Sequence, residues 1–87
     1  MITVKKFSAV WCGPCRALAP VMNEIKSNYS NVKFEEYDVD NEVDEVMKYG
    51  ITSVPTVIIE KNGQIFERLT GLQSKLTYQN VLNEAIK

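Results

Sequence analysis

Over the first forty residues, the spacing of apolar residues changes from that of a strand to that of a helix and back. Residues 2–7 are β-prone and lead into a Gly-Pro turn, so we place a first strand there. Beyond the turn, apolar residues recur at the three- and four-residue spacing of an amphipathic helix, at Leu18, Val21, Met22, Ile25 and Tyr29. Residues 32–39 alternate between two sets of side chains as a second strand does.

A short helix is expected to follow this second strand. Asn41 is its predicted N-terminal cap, because an Asn side chain can accept a hydrogen bond from the first free backbone N–H groups. The helix should carry Val43, Val46 and Met47 and end near Gly50.

The remaining residues predict a hairpin and a closing helix. Asn62-Gly63 joins the run after Pro55 to residues 64–69, and this dipeptide is the strongest short signal for two antiparallel strands. Ser74 can cap the last helix. Its predicted buried stripe consists of Tyr78, Val81, Leu82, Ala85 and Ile86.

The order β-α-β-α-β-β-α defines an α/β fold. A parallel strand-helix-strand crossover is right-handed, and the hairpin adds antiparallel strands, so we expect a four-stranded mixed sheet flanked by three helices. With 87 residues and 45% hydrophobic residues, the chain is predicted to form one domain, residues 1–87.

Charge and composition narrow the range of partners. Ten basic and eleven acidic side chains give a net charge of −1, too weak a field to favour nucleic acid or an anionic membrane. The start of the chain lacks the pattern of a targeting signal, and no apolar stretch approaches membrane-spanning length. We therefore expect a cytoplasmic protein whose partners are proteins or small molecules.

Candidate chemistry is concentrated in two cysteines three positions apart, Cys12 and Cys15. Two cysteines are too few for the disulfide framework of a secreted mini-protein, so the pair suits redox chemistry in a reducing compartment. At a helix start they can close a disulfide, and the helix N-terminus stabilises the thiolate of the first cysteine. Cys12 is the predicted nucleophile, and Cys15, expected to be less exposed, is the predicted resolving cysteine.

The neighbours of the cysteines fit this interpretation. Pro14 fixes a helical φ in the first turn, and Gly13 leaves room for a substrate chain. Trp11 offers a flat apolar surface beside the thiols, although an ordinary half-buried aromatic residue is the competing interpretation.

A metal site is the main alternative use of the cysteine pair. Structural zinc normally takes four ligands, and this chain has two cysteines and no histidine. A zinc site within one chain is therefore not expected, which leaves a metal or cluster shared across a dimer as the alternative.

Several motifs of this sequence resemble the thioredoxin family in order and spacing, over the whole chain. They are Trp11-Cys12-Gly13-Pro14-Cys15, Pro20, Tyr49-Gly50-Ile51, Val54-Pro55-Thr56, Asn62-Gly63 and Gly71. The resemblance implies that Pro55 is a cis proline opposite the dithiol, with the backbone of Val54 placed to pair with an extended substrate. A trans proline at the start of a strand is the competing interpretation. Gly71 is implied to lie near the same surface.

The first departure from the family concerns length. The strand and helix with which the family usually begins have no counterpart, because this sequence starts at the strand that carries the active site. The resemblance therefore implies a minimal thioredoxin fold in which residues 32–39 form an exposed sheet edge. Charged residues there discourage aggregation.

The second departure concerns Lys6, six residues before Cys12, where thioredoxins usually bury an aspartate that helps to move the proton of the resolving cysteine. The facing position, usually a lysine, is Glu36 here. We hypothesise that Lys6 and Glu36 form a partly buried ion pair beneath Cys15 and that Glu36 transfers the proton. Two ordinary surface charges are the alternative.

The resemblance implies a monomeric thiol-disulfide oxidoreductase that reduces protein disulfides without a bound cofactor. Ribonucleotide reductase is a familiar client of such proteins, and thioredoxin reductase or another dithiol donor would return the electrons. A glutaredoxin-like protein recycled by glutathione is one alternative, for which only Arg16 and Lys48 offer basic side chains. A non-catalytic docking module is the other.

Overall fold

Seven elements make up the chain, which the computed structural model describes from Met1 to Lys87. They are β1 (Ile2–Ser8), α1 (Gly13–Asn28), β2 (Val32–Asp38), α2 (Val43–Tyr49), β3 (Thr56–Lys61), β4 (Gln64–Thr70) and α3 (Lys75–Ile86). The predicted order of strands and helices is confirmed.

The sheet has the strand order β2-β1-β3-β4, with β1 and β2 parallel and the other pairs antiparallel. Asn62 and Gly63 both have positive φ, 54° and 83°, which matches the right-handed twist of the hairpin strands. The four-stranded mixed sheet of the thioredoxin fold is thereby confirmed. Strand β2 lies at the sheet edge, as predicted.

Alternating side chains of the strands build two cores, one on each face of the sheet. The larger core includes Val4, Leu18, Ile25, Val57, Ile59 and Leu82, which come from two strands and from α1 and α3. The opposite core consists of Phe7, Tyr49 and Ile58 beneath α2. Each fully buried aliphatic or aromatic side chain contributes roughly 1.5–3 kcal/mol, so the larger core dominates stability.

Helix α2 differs from the prediction at its start, whereas its end at the C-cap Gly50 is as predicted. Glu42, not Asn41, is the N-cap, and it makes no side-chain capping bond. The Asn41 side chain instead donates to Asp38 Oδ2 at 2.9 Å. Val43 and Met47 are exposed, and Tyr49 is the buried residue of the helix.

Helix α3 follows the prediction except at its last turn. Ser74 caps it by accepting a hydrogen bond from the backbone N–H of Thr77 at 3.2 Å. Tyr78, Leu82 and Ala85 are buried. Ile86, which the periodicity placed in the same stripe, is the last residue of the helix and is exposed.

A largely buried polar network lies on the α2 face of the sheet. Lys5 is 3.5 Å from a carboxylate oxygen of Glu35 and 3.7 Å from one of Glu60. The hydroxyls of Tyr37 and Tyr49 donate to Glu35 and Glu60, at 2.7 Å and 2.5 Å. Burial opposes the charge of Lys5, but these partners outweigh burial and raise its pKa.

None of the helices is long and apolar enough to cross a membrane.

Candidate active site

Cys12 and Cys15 form a disulfide where β1 leads into α1, with a Cα–Cα distance of 5.2 Å. Cys12 is the N-cap of α1, and Pro14 lies in the first turn, where its fixed φ suits the helix. The backbone N–H of Cys15 donates to Cys12 Sγ at 3.2 Å. The positive end of the helix is thus directed at the sulfur of Cys12.

Exposure does not distinguish the two cysteines, contrary to the prediction that Cys15 is less exposed. Each has 5% of its surface accessible. The reason is that a loop covers Cys12, whose Sγ lies 3.8 Å from the carbonyl oxygen of Val54. The two differ in surroundings instead, because Cys15 lines a cleft of about 240 Å³ with Lys6 and Asp38.

The loop opposite the disulfide contains a cis peptide bond between Val54 and Pro55, as the family resemblance implied. The Thr56 hydroxyl donates to the carbonyl oxygen of Ser53 at 2.7 Å and so closes the loop across the proline. This bond holds the backbone of Val54 beside Cys12 Sγ.

Gly71 lies beside the same loop. Its N–H donates to the carbonyl oxygen of Pro55 at 2.8 Å, and its φ of +81° is a conformation that favours glycine. The next loop residues are held by Tyr78, whose hydroxyl accepts from the N–H of Gln73 at 3.2 Å. Burial raises the pKa of Tyr78, so the phenol stays neutral.

Trp11 stands beside the disulfide with 63% of its surface exposed. Its Nε1–H donates to Asp40 Oδ2 at 2.9 Å, which fixes the orientation of the indole. The ring borders an apolar cleft of about 260 Å³ that also contains Val46, Ile51 and Val54. Asp40 was not among the predicted site residues.

Lys6 and Glu36 face each other in the parallel pairing of β1 and β2 and form an ion pair, with 3.0 Å between Nζ and Oε1. The Lys6 side chain is 9% exposed, whereas that of Glu36 is 70% exposed. Lys6 lines both the cleft beneath Cys15 and a second cavity of about 360 Å³, whereas Glu36 lines the second cavity alone, together with Lys26. Only the lysine of the pair therefore reaches the space next to the disulfide.

No three His, Cys, Asp or Glu side chains are grouped so that they could hold a metal ion. The basic side chain next to the motif, Arg16, points its Nη2 at the carbonyl oxygen of Val10, 3.3 Å away. The site therefore consists of the cysteine pair, the cis-proline loop, Trp11 and the cleft that contains Lys6.

Comparison with known proteins identifies relatives over nearly the whole chain. The Thioredoxin family model matches residues 1–84. Thioredoxin 1 of Synechococcus elongatus is 42% identical over 79 residues, covering 90% of this chain and 74% of that protein. The thioredoxin of Listeria monocytogenes is 34% identical over 86 residues, covering 98% of this chain and 84% of that protein. The crystal structure of thioredoxin from Trypanosoma brucei brucei matches with a TM-score of 0.91 and 32% identity. The match covers 99% of this chain and 75% of that one.

A cysteine pair that closes a disulfide at a helix N-terminus, carried on this sheet, defines a thiol-disulfide oxidoreductase. Within that class the chain belongs to the thioredoxin family. Disulfide reduction is the activity of this family, and the glutaredoxin-like and docking-module alternatives are not favoured.

Proposed function

We propose that the chain reduces disulfides in protein substrates, with Cys12 as the nucleophile and Cys15 as the resolving cysteine. The observation that carries this assignment is the hydrogen bond from the Cys15 N–H to Cys12 Sγ at the N-terminus of α1. A thiolate at Cys12 gains from this donor and from the helix dipole. The sulfur of Cys15, further along the helix, has no such interaction.

The reaction transfers two electrons from the dithiol to the substrate. The Cys12 thiolate attacks one sulfur of the substrate disulfide, and the other sulfur leaves as a thiolate that takes up a proton. Cys15 then loses its proton and attacks Cys12 Sγ. The bond between Cys12 and the substrate breaks, the substrate is released reduced, and the Cys12–Cys15 disulfide remains.

Six residues around the disulfide are proposed to receive the substrate. They are Trp11, Gly13, Pro14, Val54, Pro55 and Gly71. An extended substrate segment would pair with the backbone of Val54, which the cis bond to Pro55 holds beside Cys12 Sγ. A Cβ atom built on Gly13 meets no atom within 4 Å, so this side of the disulfide is open to an approaching chain.

Lys6 and Glu36 are proposed to handle the proton of Cys15. Their 3.0 Å ion pair supports the pairing, and the carboxylate of Glu36 is the group of the two that accepts a proton. Because Glu36 lies outside the Cys15 cleft, the proton would reach it through water. Replacing Glu36 by Gln should slow the release of substrate from the mixed disulfide, in stopped-flow measurements. An unchanged rate would exclude Glu36 from proton transfer.

No bound cofactor is needed, because the electrons reside in the cysteine pair itself. Thioredoxin reductase or another dithiol donor would restore the dithiol, and ribonucleotide reductase is a candidate client. We place the chain in the cytoplasm as a monomer, with residues 1–87 acting as one domain. Nucleic acids and membranes are not proposed as partners, since the net charge is −1.

Turnover of insulin disulfides tests the proposed function. The chain should reduce insulin with thioredoxin reductase and NADPH, and only slowly with glutathione and its reductase. The Cys12→Ser variant should be inactive in both systems while binding its partners as before. Turnover only with glutathione would reassign the chain as glutaredoxin-like. Turnover in neither system, nor with dithiothreitol as the donor, would refute both assignments.

A further inference from the structure

A buried lysine side chain lines the cleft on the Cys15 side of the disulfide and carries its ammonium between that cleft and Glu36. The Lys6 side chain is 9% exposed and lines this cleft together with Cys15. Its ion-pair partner Glu36 is 70% exposed and lies outside the cleft. Water screens the exposed carboxylate far more than the buried ammonium, so the positive charge is not cancelled on the Cys15 side.

Two other charged groups line the cleft of Cys15, one of each sign. Asp38 lines the cleft from the end of β2, but its two carboxylate oxygens accept hydrogen bonds from the Asp40 N–H and the Asn41 side chain, at 3.0 Å and 2.9 Å. These donors orient the carboxylate of Asp38 toward the turn after β2. Arg16 lines the cleft from α1, where it is solvent-exposed, and adds positive charge.

We propose that Lys6 stabilises the thiolate of Cys15 and is thereby a positioning residue for the resolving step. The proposal rests on the proposed function, in which Cys15 resolves the mixed disulfide. A cation near a thiol favours its charged form, and burial strengthens the effect because less solvent screens it. Lys6 thus sets how much of Cys15 is ionised, whichever group accepts the proton.

Atoms and electrons balance in this step. The Cys15 thiol gives its proton to water in the cleft or, through water, to Glu36, and the electron pair stays on sulfur beside the Lys6 ammonium. The thiolate attacks Cys12 Sγ, the bond from Cys12 to the substrate breaks, and the departing substrate sulfur carries the electron pair away. The ammonium of Lys6 is not consumed.

Two measurable consequences follow from a stabilised Cys15 thiolate. The pH midpoint of Cys15 ionisation should lie about one unit or more below that of a variant without the ammonium, a tenfold change in the ionisation constant. The reduced state is also favoured relative to the disulfide, so the chain should be a stronger oxidant than that variant. A tenfold change in the equilibrium with glutathione corresponds to about 30 mV.

The ionisation of Cys15 can be measured alone in a Cys12→Ser background, where it is the sole thiol, from thiolate absorbance at 240 nm. Lys6→Met in that background should raise the midpoint by about one pH unit, and Lys6→Arg should restore it. Lys26→Met is the matched control, since it removes an exposed ammonium outside the Cys15 cleft, and it should leave the midpoint unchanged. In the intact dithiol, at a pH above both midpoints, Lys6→Met should shift the glutathione equilibrium about tenfold toward the disulfide.

An unchanged midpoint in folded Lys6→Met, or an equal shift in the Lys26→Met control, would overturn the proposal. If Lys6→Met does not fold by circular dichroism, Lys6→Gln provides the test, because it removes the same charge and keeps a polar head group. An unchanged midpoint in folded Lys6→Gln would then overturn the proposal. Insulin turnover by the unaltered chain separates the hypotheses: turnover with an unmoved midpoint refutes only the role of Lys6, whereas no turnover refutes the proposed function.

Discussion

At the scale of single residues, the two sulfur atoms are equally buried and are distinguished by their neighbours. Cys12 Sγ accepts a backbone N–H and lies against the carbonyl of Val54, while Cys15 adjoins the cleft that contains Lys6. Donors and charges therefore decide which sulfur attacks first. Accessible area does not.

The proposed order of attack, in which Cys12 reacts before Cys15, predicts different behaviour for the two cysteine variants. Cys15→Ser should accumulate a covalent mixed disulfide between Cys12 and the substrate, because no second thiol can release it. Non-reducing electrophoresis of the chain incubated with an oxidised substrate would reveal the adduct. Cys12→Ser is the control and should form much less, and an adduct of equal yield through Cys15 would contradict the assignment.

The hydrogen bond between Trp11 and Asp40 predicts an effect on substrate binding. Asp40→Ala should free the indole and raise KM for a protein disulfide by a few-fold. The free energy of unfolding should fall by less than about 1 kcal/mol, because the bond is exposed. Trp fluorescence anisotropy should fall in parallel. Asp40→Asn keeps an acceptor for the indole N–H, so its KM should stay close to that of the parent. Equal KM values for the parent and both variants would refute a role of Asp40 in substrate binding.

At the scale of elements, the junction between β4 and α3 positions the cis-proline loop through Gly71. Gly71→Ala should destabilise the fold by about 1–2 kcal/mol, because φ is +81° there and an L side chain is disfavoured in that region. Urea unfolding would measure the loss. Gly13→Ala is the control, since it has a helical conformation and no atom within 4 Å of the added Cβ, and it should be neutral or stabilising. A neutral Gly71→Ala would contradict the conformational argument.

The elements that could be predicted are those whose signals are local. The hairpin depends on Asn62-Gly63, and the cap of α3 depends on Ser74, so neighbouring residues alone determine them. The prediction for helix α2 was wrong at its cap, where Glu42 takes the place expected of Asn41. Its buried side could not be predicted, because seven residues are too few for a periodicity to define a face. Its orientation is set by Tyr49, which packs on Phe7 from a distant strand.

The same distinction holds within the site. The spacing of Cys12 and Cys15 can be recognised in the sequence alone. The partner of Trp11 could not be found this way, because Asp40 lies 29 positions away and meets the indole only after β2 has paired with β1. The register that joins Lys6 to Glu36 was predicted through the family resemblance, but the unequal exposure of the two side chains was not.

At the scale of the whole molecule, two adjacent lysines of β1 extend to opposite faces of the sheet. Lys6 lies with the disulfide on the face covered by α1, whereas Lys5 joins the network of carboxylates and tyrosines beneath α2. Because side chains alternate along a strand, Lys6 lines the cleft of Cys15 while Lys5 neutralises carboxylates on the opposite face. Lys5 therefore affects stability rather than redox chemistry.

The network around Lys5 predicts how stability depends on pH. Hydrogen bonds from Tyr37 and Lys33, together with the charge of Lys5, lower the pKa of Glu35 from 4.5 to about 2. Because the folded pKa lies below the unfolded one, this stabilisation is present above pH 4.5 and is lost as the pH falls toward 2.

Glu35→Gln should therefore lower the free energy of unfolding at pH 7 and flatten its decline between pH 4.5 and 2. Urea titrations across that range would measure both effects. Glu84→Gln is the matched control, because it removes an exposed carboxylate of α3 that is paired with Lys87. Its free energy of unfolding should decline with acid as the parent's does. If Glu35→Gln lost stability with acid as steeply as the parent, other carboxylates would have to account for the decline. The network would then serve packing alone.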